Sequence, residues 1–193
     1  MKGLEHMQEA RRRTRATIVA LVSVAALAAI SLISAGGAGA ALVAPRSDCT
    51  GQQNTHAPES VQERALRCLI DYARSSGSKS YGALERAAGR KVGDVFDCGF
   101  SHTACGKPFD AYPKRFGYTS GTSGWKLGEN LAWGKGDRGS AREILKAWLD
   151  SPPHRETLLS GAFEHIGIGL KRGRFGGNSK AAVWVLQIGC RGC

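Results

Sequence analysis

Ala16–Ala44 is a run of 29 residues without a charge, and it follows Arg11-Arg12-Arg13-Thr14-Arg15. A basic flank ahead of an apolar run is the pattern of a Sec-type export signal. Small residues crowd the end of the run, and Ala38-Gly39-Ala40 fits the cleavage pattern, which makes residues 1–40 a signal peptide. The run is also long enough to span a bilayer, so an uncleaved anchor is the second reading. Both readings place the rest of the chain outside the cytoplasmic membrane. A membrane link is expected only through this segment, if it stays uncleaved. Whatever folds downstream must therefore fold in oxidising surroundings.

The cysteines agree with that compartment. All six lie after the run, at Cys49, Cys68, Cys98, Cys105, Cys190 and Cys193. An even count in an exported chain points to disulfides. Spacing favours joining neighbours: Cys49–Cys68, Cys98–Cys105 and Cys190–Cys193. The last is a C-x-x-C loop, which can also be redox-active or bind metal. No second C-x-x-C exists to complete a zinc ribbon.

The full chain carries a formal net charge of +11. Cleavage after Ala40 would remove five cations (Lys2, Arg11, Arg12, Arg13, Arg15) and two anions (Glu5, Glu9), leaving +8. Such a surface suits anionic partners (envelope polymers, acidic lipids or nucleic acid), but the basic residues are scattered, and plain solubility is the leading reading of the charge. No basic helix with interleaved aromatics is present, which argues against nucleic acid as a partner.

Residues 41–58 read as a polar arm. The domain then runs over 59–193. In "ESVQERALRCLIDYARSSG", Val61, Ala65, Leu66, Leu69, Ile70 and Ala73 form one helical stripe. Ser60 and Glu63 have the spacing of a capping box. "SYGALERAAGRKVGDVFDCGF" reads as a second helix, weakened by Gly82 and Gly89. Cys98–Gly124 is a long irregular segment, with a short helix expected near Asp110–Phe116. "WKLGENLAWG" reads as a short strand or turn entering a helix. A third amphipathic helix follows, with Ser140 and Glu143 as another capping box and Pro152-Pro153 as its stop. "FEHIGIGLKRG" and "AAVWVLQIGC" read as strands joined by the hairpin loop "RGRFGGNS". Helices early and strands late, without a βαβ rhythm, give an α+β class with helices stacked on a small antiparallel sheet.

Three residues stand out chemically. His102 lies in "CGFSHTACG", His154 in "DSPPHRETLL", and Glu129 in "GENLAWG". Loops and helix ends of this kind project side chains into clefts. Two imidazoles and a carboxylate are an acceptable set for a divalent metal with an open position. Glu129 with one histidine could equally form an acid–base pair. Separations of 27 residues from His102 to Glu129 and 25 from Glu129 to His154 make spacing alone a weak signal. His165 reads as a surface or edge histidine, and His56 as a solvated one.

"FSHTACG", "GENLAWG", "AWLDSPPHRETLL" and "HIGIGL", in this order, resemble the bacterial branch of the CAP superfamily, named for cysteine-rich secretory proteins, antigen 5 and pathogenesis-related class 1 proteins. The resemblance covers roughly Ser60 to Gly189. It implies an α-β-α sandwich with a small antiparallel sheet between helical layers. It also implies a secreted or envelope-associated protein with a cleft lined by two histidines and two acids. By match, His102 is the first histidine, Glu129 the acid and His154 the second histidine. The other acid of many eukaryotic members would fall at Ser151, so it is absent; Asp150 could replace it only if turned inward. No cofactor is implied as obligatory, although zinc or another divalent ion on His102 and His154 is a facultative expectation. The resemblance implies no uniform reaction, so whether the chain is an enzyme stays open. The leading expectation is a binding protein for a lipid, an envelope component or a divalent metal. The alternative is a metal-assisted hydrolase of peptide or wall substrates using the same cleft.

Overall fold

The computed structural model describes residues 40–193, so the expected export segment lies outside the described residues. Among those residues no helix is long and apolar enough to cross a membrane. The elements run α1 (Glu59–Arg74), β1 (Lys79–Ser80), α2 (Gly82–Cys98), α3 (Ala111–Arg115) and β2 (Trp125–Lys135). They continue with α4 (Ala141–Asp150), α5 (Pro152–Leu159), β3 (His165–Phe175) and β4 (Asn178–Arg191). The sheet order is β1-β3-β4-β2. β4 pairs antiparallel with both β2 and β3, and only the two-residue β1 is parallel to β3. The α+β class holds, with a mixed rather than purely antiparallel sheet.

Strand alternation gives the sheet two apolar faces. Ile166, Ile168, Trp184, Leu186 and Ile188 meet Leu66, Leu69, Ile144, Leu145, Trp148 and Leu158 on one face. Val183, Val185 and Leu131 meet Val92 and Val95 of α2 on the other. Helices thus cover both faces, as the sandwich requires. The two buried indoles also satisfy their N–H groups: Trp148 donates to Leu131 O at 3.1 Å and Trp184 to Gly139 O at 2.9 Å.

The glycines of "HIGIGL" decide how closely α2 lies. A Cβ on Gly167 would sit 2.1 Å from the Leu84 carbonyl carbon, and one on Gly169 would sit 2.5 Å from Ala88 O. Helix backbone rests on strand backbone at both points, which no larger residue allows.

Local chemistry departs from the sequence expectations in four places. The Ser60–Glu63 capping box does not form, because α1 starts at Glu59 after Pro58 and has no side-chain cap. Glu63 instead accepts the Leu170 N–H at 3.0 Å, and Glu59 accepts the Arg172 N–H at 3.1 Å. These carboxylates occupy the edge of β3 that β1 leaves bare. Ser140 stands at the N-cap of α4 but makes no capping bond. "WKLGENLAWG" is one long strand, because eleven residues find a register against β4. The double proline does stop α4, yet it also opens α5 at the first two helical positions, where no backbone donor is needed.

Residues 41–58 are not a free arm. Val43, Ala44 and Cys49 are buried in the larger core. Arg142 Nη1 donates to Ala44 O and to Gln52 Oε1, both at 2.6 Å. A Cys49–Cys68 bridge ties the segment to α1. Composition made it look polar, but its few apolar residues face inward.

Gly167→Ala should cost about 3 kcal/mol or more by overpacking, read as a lower midpoint in urea unfolding. Gly161→Ala, whose Cβ meets nothing within 4 Å, should stay within about 0.5 kcal/mol.

Candidate functional site

The motif "GEN" divides its labour along β2. Gly128 leaves room for α5 and β4, since its Cβ would meet Thr157 Cγ2 at 2.9 Å and Ile188 Cγ2 at 3.0 Å. Glu129 and Asn130 then point to opposite faces. Asn130 Nδ2 donates to the His154 carbonyl at 2.9 Å and holds the first turn of α5. Glu129 faces the loop after α2, where its Oε1 lies 2.8 Å from His102 Nδ1. Its Oε2 accepts from Gln187 Nε2 at 2.5 Å. Gln187 is the direct cross-strand partner of Glu129 and also donates to Phe109 O at 3.3 Å.

The two members of the Glu129–His102 pair differ in exposure. The Glu129 side chain is 1% exposed and that of His102 is 54% exposed. Burial pushes the Glu129 carboxyl up, while the His102 hydrogen bond and the nearby Lys91 charge pull it down. When Glu129 is ionised it fixes the proton on His102 Nδ1 and leaves Nε2 as the free lone pair. The carboxylate therefore orients an exposed imidazole.

Two devices hold the His102 loop. A Cys98–Cys105 bridge closes it, with Cα atoms 5.3 Å apart. Beneath it lies Lys91, fully buried in the inward stripe of α2. Its ammonium donates to the His102 carbonyl at 2.6 Å and to the Lys107 carbonyl at 3.2 Å. A buried lysine without a direct carboxylate partner is costly unless its donors are used, and here two carbonyls use them.

His154 stands in the first turn of α5, with Nδ1 2.9 Å from Ser151 Oγ. Ser151 thus faces the second histidine at the position where an acid was expected. Burial lowers the His154 pKa, and a charge on His102 lowers it further. Asp150 does not turn inward; it is exposed and lines a separate groove with Trp133. His165 makes no hydrogen bond to His102, Glu129 or His154; it is half-buried, with Nδ1 2.9 Å from the buried Tyr118 hydroxyl. His56 is exposed.

A family model described as CAP, cysteine-rich secretory protein family, matches residues 60–188. The chain belongs to this family. The Bacillus subtilis protein YkwD is 38% identical over 89 residues, which is 45% of this chain and 32% of that one. An extracellular Bacillus anthracis protein with an SCP domain superposes with a TM-score of 0.54 at 20% identity. That alignment covers 67% of this chain and 40% of the other. An outer surface protein of Borrelia burgdorferi gives 0.55 at 21% identity, over 70% of this chain and 96% of that one. These two likenesses carry the fold alone. The chain spans well under half the length of the two Bacillus proteins.

The CAP resemblance carries a facultative metal expectation, which the donor set tests. His102 and His154 offer two imidazoles, and Glu129 has both oxygens engaged. Among the described residues no group of three or more His, Cys, Asp and Glu could hold a metal. This falls short of the three protein ligands of a catalytic zinc.

Sequence reasoning missed Lys91, Gln187 and the pairing of Ser151 with His154. Lys91 sits in "GRKVG" beside Arg90 and looks like surface charge. Only its place in the Ala87, Ala88, Val92, Val95 stripe could have betrayed it.

Lys91→Met should cost about 2–3 kcal/mol by leaving two carbonyls without their donor. Amide exchange should speed up over residues 99–107. In an NMR titration His154 should have its midpoint below the usual histidine value. His102→Ala should raise that midpoint without restoring it fully, because burial remains.

Proposed function

We propose that this CAP domain works outside the cytoplasmic membrane as a binding module. Its ligand is a component of the cell envelope, a lipid head or a polymer, whose polar group docks on His102 and His154. The observation that carries the reading is the buried Glu129, committed through both oxygens to His102 and Gln187. A carboxylate so engaged, with its side chain only 1% exposed, steadies an exposed imidazole and turns little surface toward water. This favours binding over the hydrolytic alternative. Asn130 Oδ1 and Gln187 Oε1 are buried without a partner among the described residues. Such unsatisfied acceptors cost about 1–3 kcal/mol each and are tolerated where a site requires its geometry. The extracellular and outer-surface descriptions of the two solved relatives support the location.

The test is a binding series on envelope lipid vesicles and on isolated wall polymer. His102→Ala should weaken retention by about tenfold, equivalent to 1.4 kcal/mol. Glu129→Gln should retain most of it, because the amide oxygen still accepts from Nδ1. Equal retention by wild type and His102→Ala would remove the cleft from the binding. Turnover of peptide or wall fragments that disappears in Glu129→Gln would replace this reading with hydrolysis.

A further inference from the structure

A second feature of "GENLAWG" is left unused by the His102 cleft. Trp133 lies on the same face of β2 as Glu129, four residues further along, a distance of roughly 13 Å. Its side chain is large and apolar, yet it is 39% exposed. It lines a groove of about 470 Å³ between the end of β2 and α4. The volume is in the usual range for a small-ligand site.

The ring is braced. It meets Phe175 edge-on with centroids 5.7 Å apart. The tip of its six-membered ring lies against Gly176, where an added Cβ would come within 3.4 Å of Cη2. An indole held from one side and open on another is a pre-formed stacking platform, with little freedom left to lose on binding. Among the described residues its N–H has no hydrogen-bond partner.

The walls around it are polar. Lys135 and Arg138 are exposed, and neither has an ion-pair partner among the described residues. Glu143 and Lys146 also line the groove but pair with each other at 3.0 Å, and Asp150 and Asn178 add a second carboxylate and an amide. Apart from Trp133, the apolar side chains that line the groove are Ile144 and Ala147. This is too little apolar lining for an acyl chain. One aromatic without a second in series does not suit stacked bases. A sugar ring presents an apolar C–H face and a polar edge, which match an indole rimmed by hydrogen-bonding groups. The two unpaired cations next to the ring add a preference for negative charge, and the net charge of +11 draws polyanions to the molecule.

We propose that the Trp133 groove binds an acidic polysaccharide. A sugar ring stacks on Trp133, and its carboxylate pairs with Lys135 or Arg138. This site is separate from the His102 cleft, and binding there does not require that cleft to be functional.

The experiment is calorimetric titration of the purified full chain, disulfides intact, with polygalacturonate, neutral dextran and polyglutamate. Polygalacturonate should bind more tightly than either of the others. Trp133→Ala should weaken it about tenfold, whereas Trp133→Tyr, which keeps a ring, should recover most of the affinity. Lys135→Ser with Arg138→Ser should erase the preference over dextran. His102→Ala should change nothing, which separates this site from the cleft. Thermal unfolding of each variant checks that the fold persists. Overturning results are no binding of polygalacturonate, equal binding of polyglutamate, equal binding of dextran by wild type, or indifference to Trp133→Ala in a folded protein.

Discussion

The contact of α2 with β3, backbone against backbone, is the constraint on which the candidate site depends. Gly167, Gln187 and Glu129 lie in one row across the sheet, on the face that α2 covers. The missing side chain at Gly167 lets the helix descend at one end of that row. At the other end Glu129 can then reach the loop that the helix feeds. A helix raised by the thickness of a methyl group would carry Lys91 and the loop of His102 with it. The 2.8 Å contact between His102 and Glu129 would be lost in that shift. Packing and chemistry are thus one problem in this domain.

The site itself is asymmetric. His102 is fixed from three directions: a disulfide across its loop, a buried ammonium below its carbonyl and a carboxylate on its ring. His154 is fixed through its backbone by Asn130 and through its ring by a neutral hydroxyl. One imidazole is steadied by charge and the other is not. Both look alike in the sequence, and only their partners tell them apart.

The broad layout was legible because its signals are local. The stripe of α1, the alternation of β3 and β4 and the neighbour spacing of the cysteines each need only a short window. The second helix was legible despite Gly82 and Gly89. What the sequence concealed depends on partners far along the chain. Strand β2 owes its length to β4, more than fifty residues away at Glu129 and Gln187. Glu63 has the spacing of a helix cap, yet it serves the edge of β3. Lys91 resembles a surface cation because its two carbonyl partners cannot be read from composition. Motif order singled out His102, Glu129 and His154, whereas the groups that hold them emerged only in three dimensions.

All three disulfides join each cysteine to the next one in the chain, across separations of 19, 7 and 3 residues. A polypeptide threaded outward from its N-terminus presents these thiols in pairing order. Oxidation of each new thiol with its waiting predecessor yields the native set without reshuffling. In the loop-entropy picture each closed loop also destabilises the unfolded chain, by about 3 kcal/mol for the longest of them. Each bridge closes within its own short stretch, so the Cys98–Cys105 loop needs nothing from the strand that carries Glu129 in order to close.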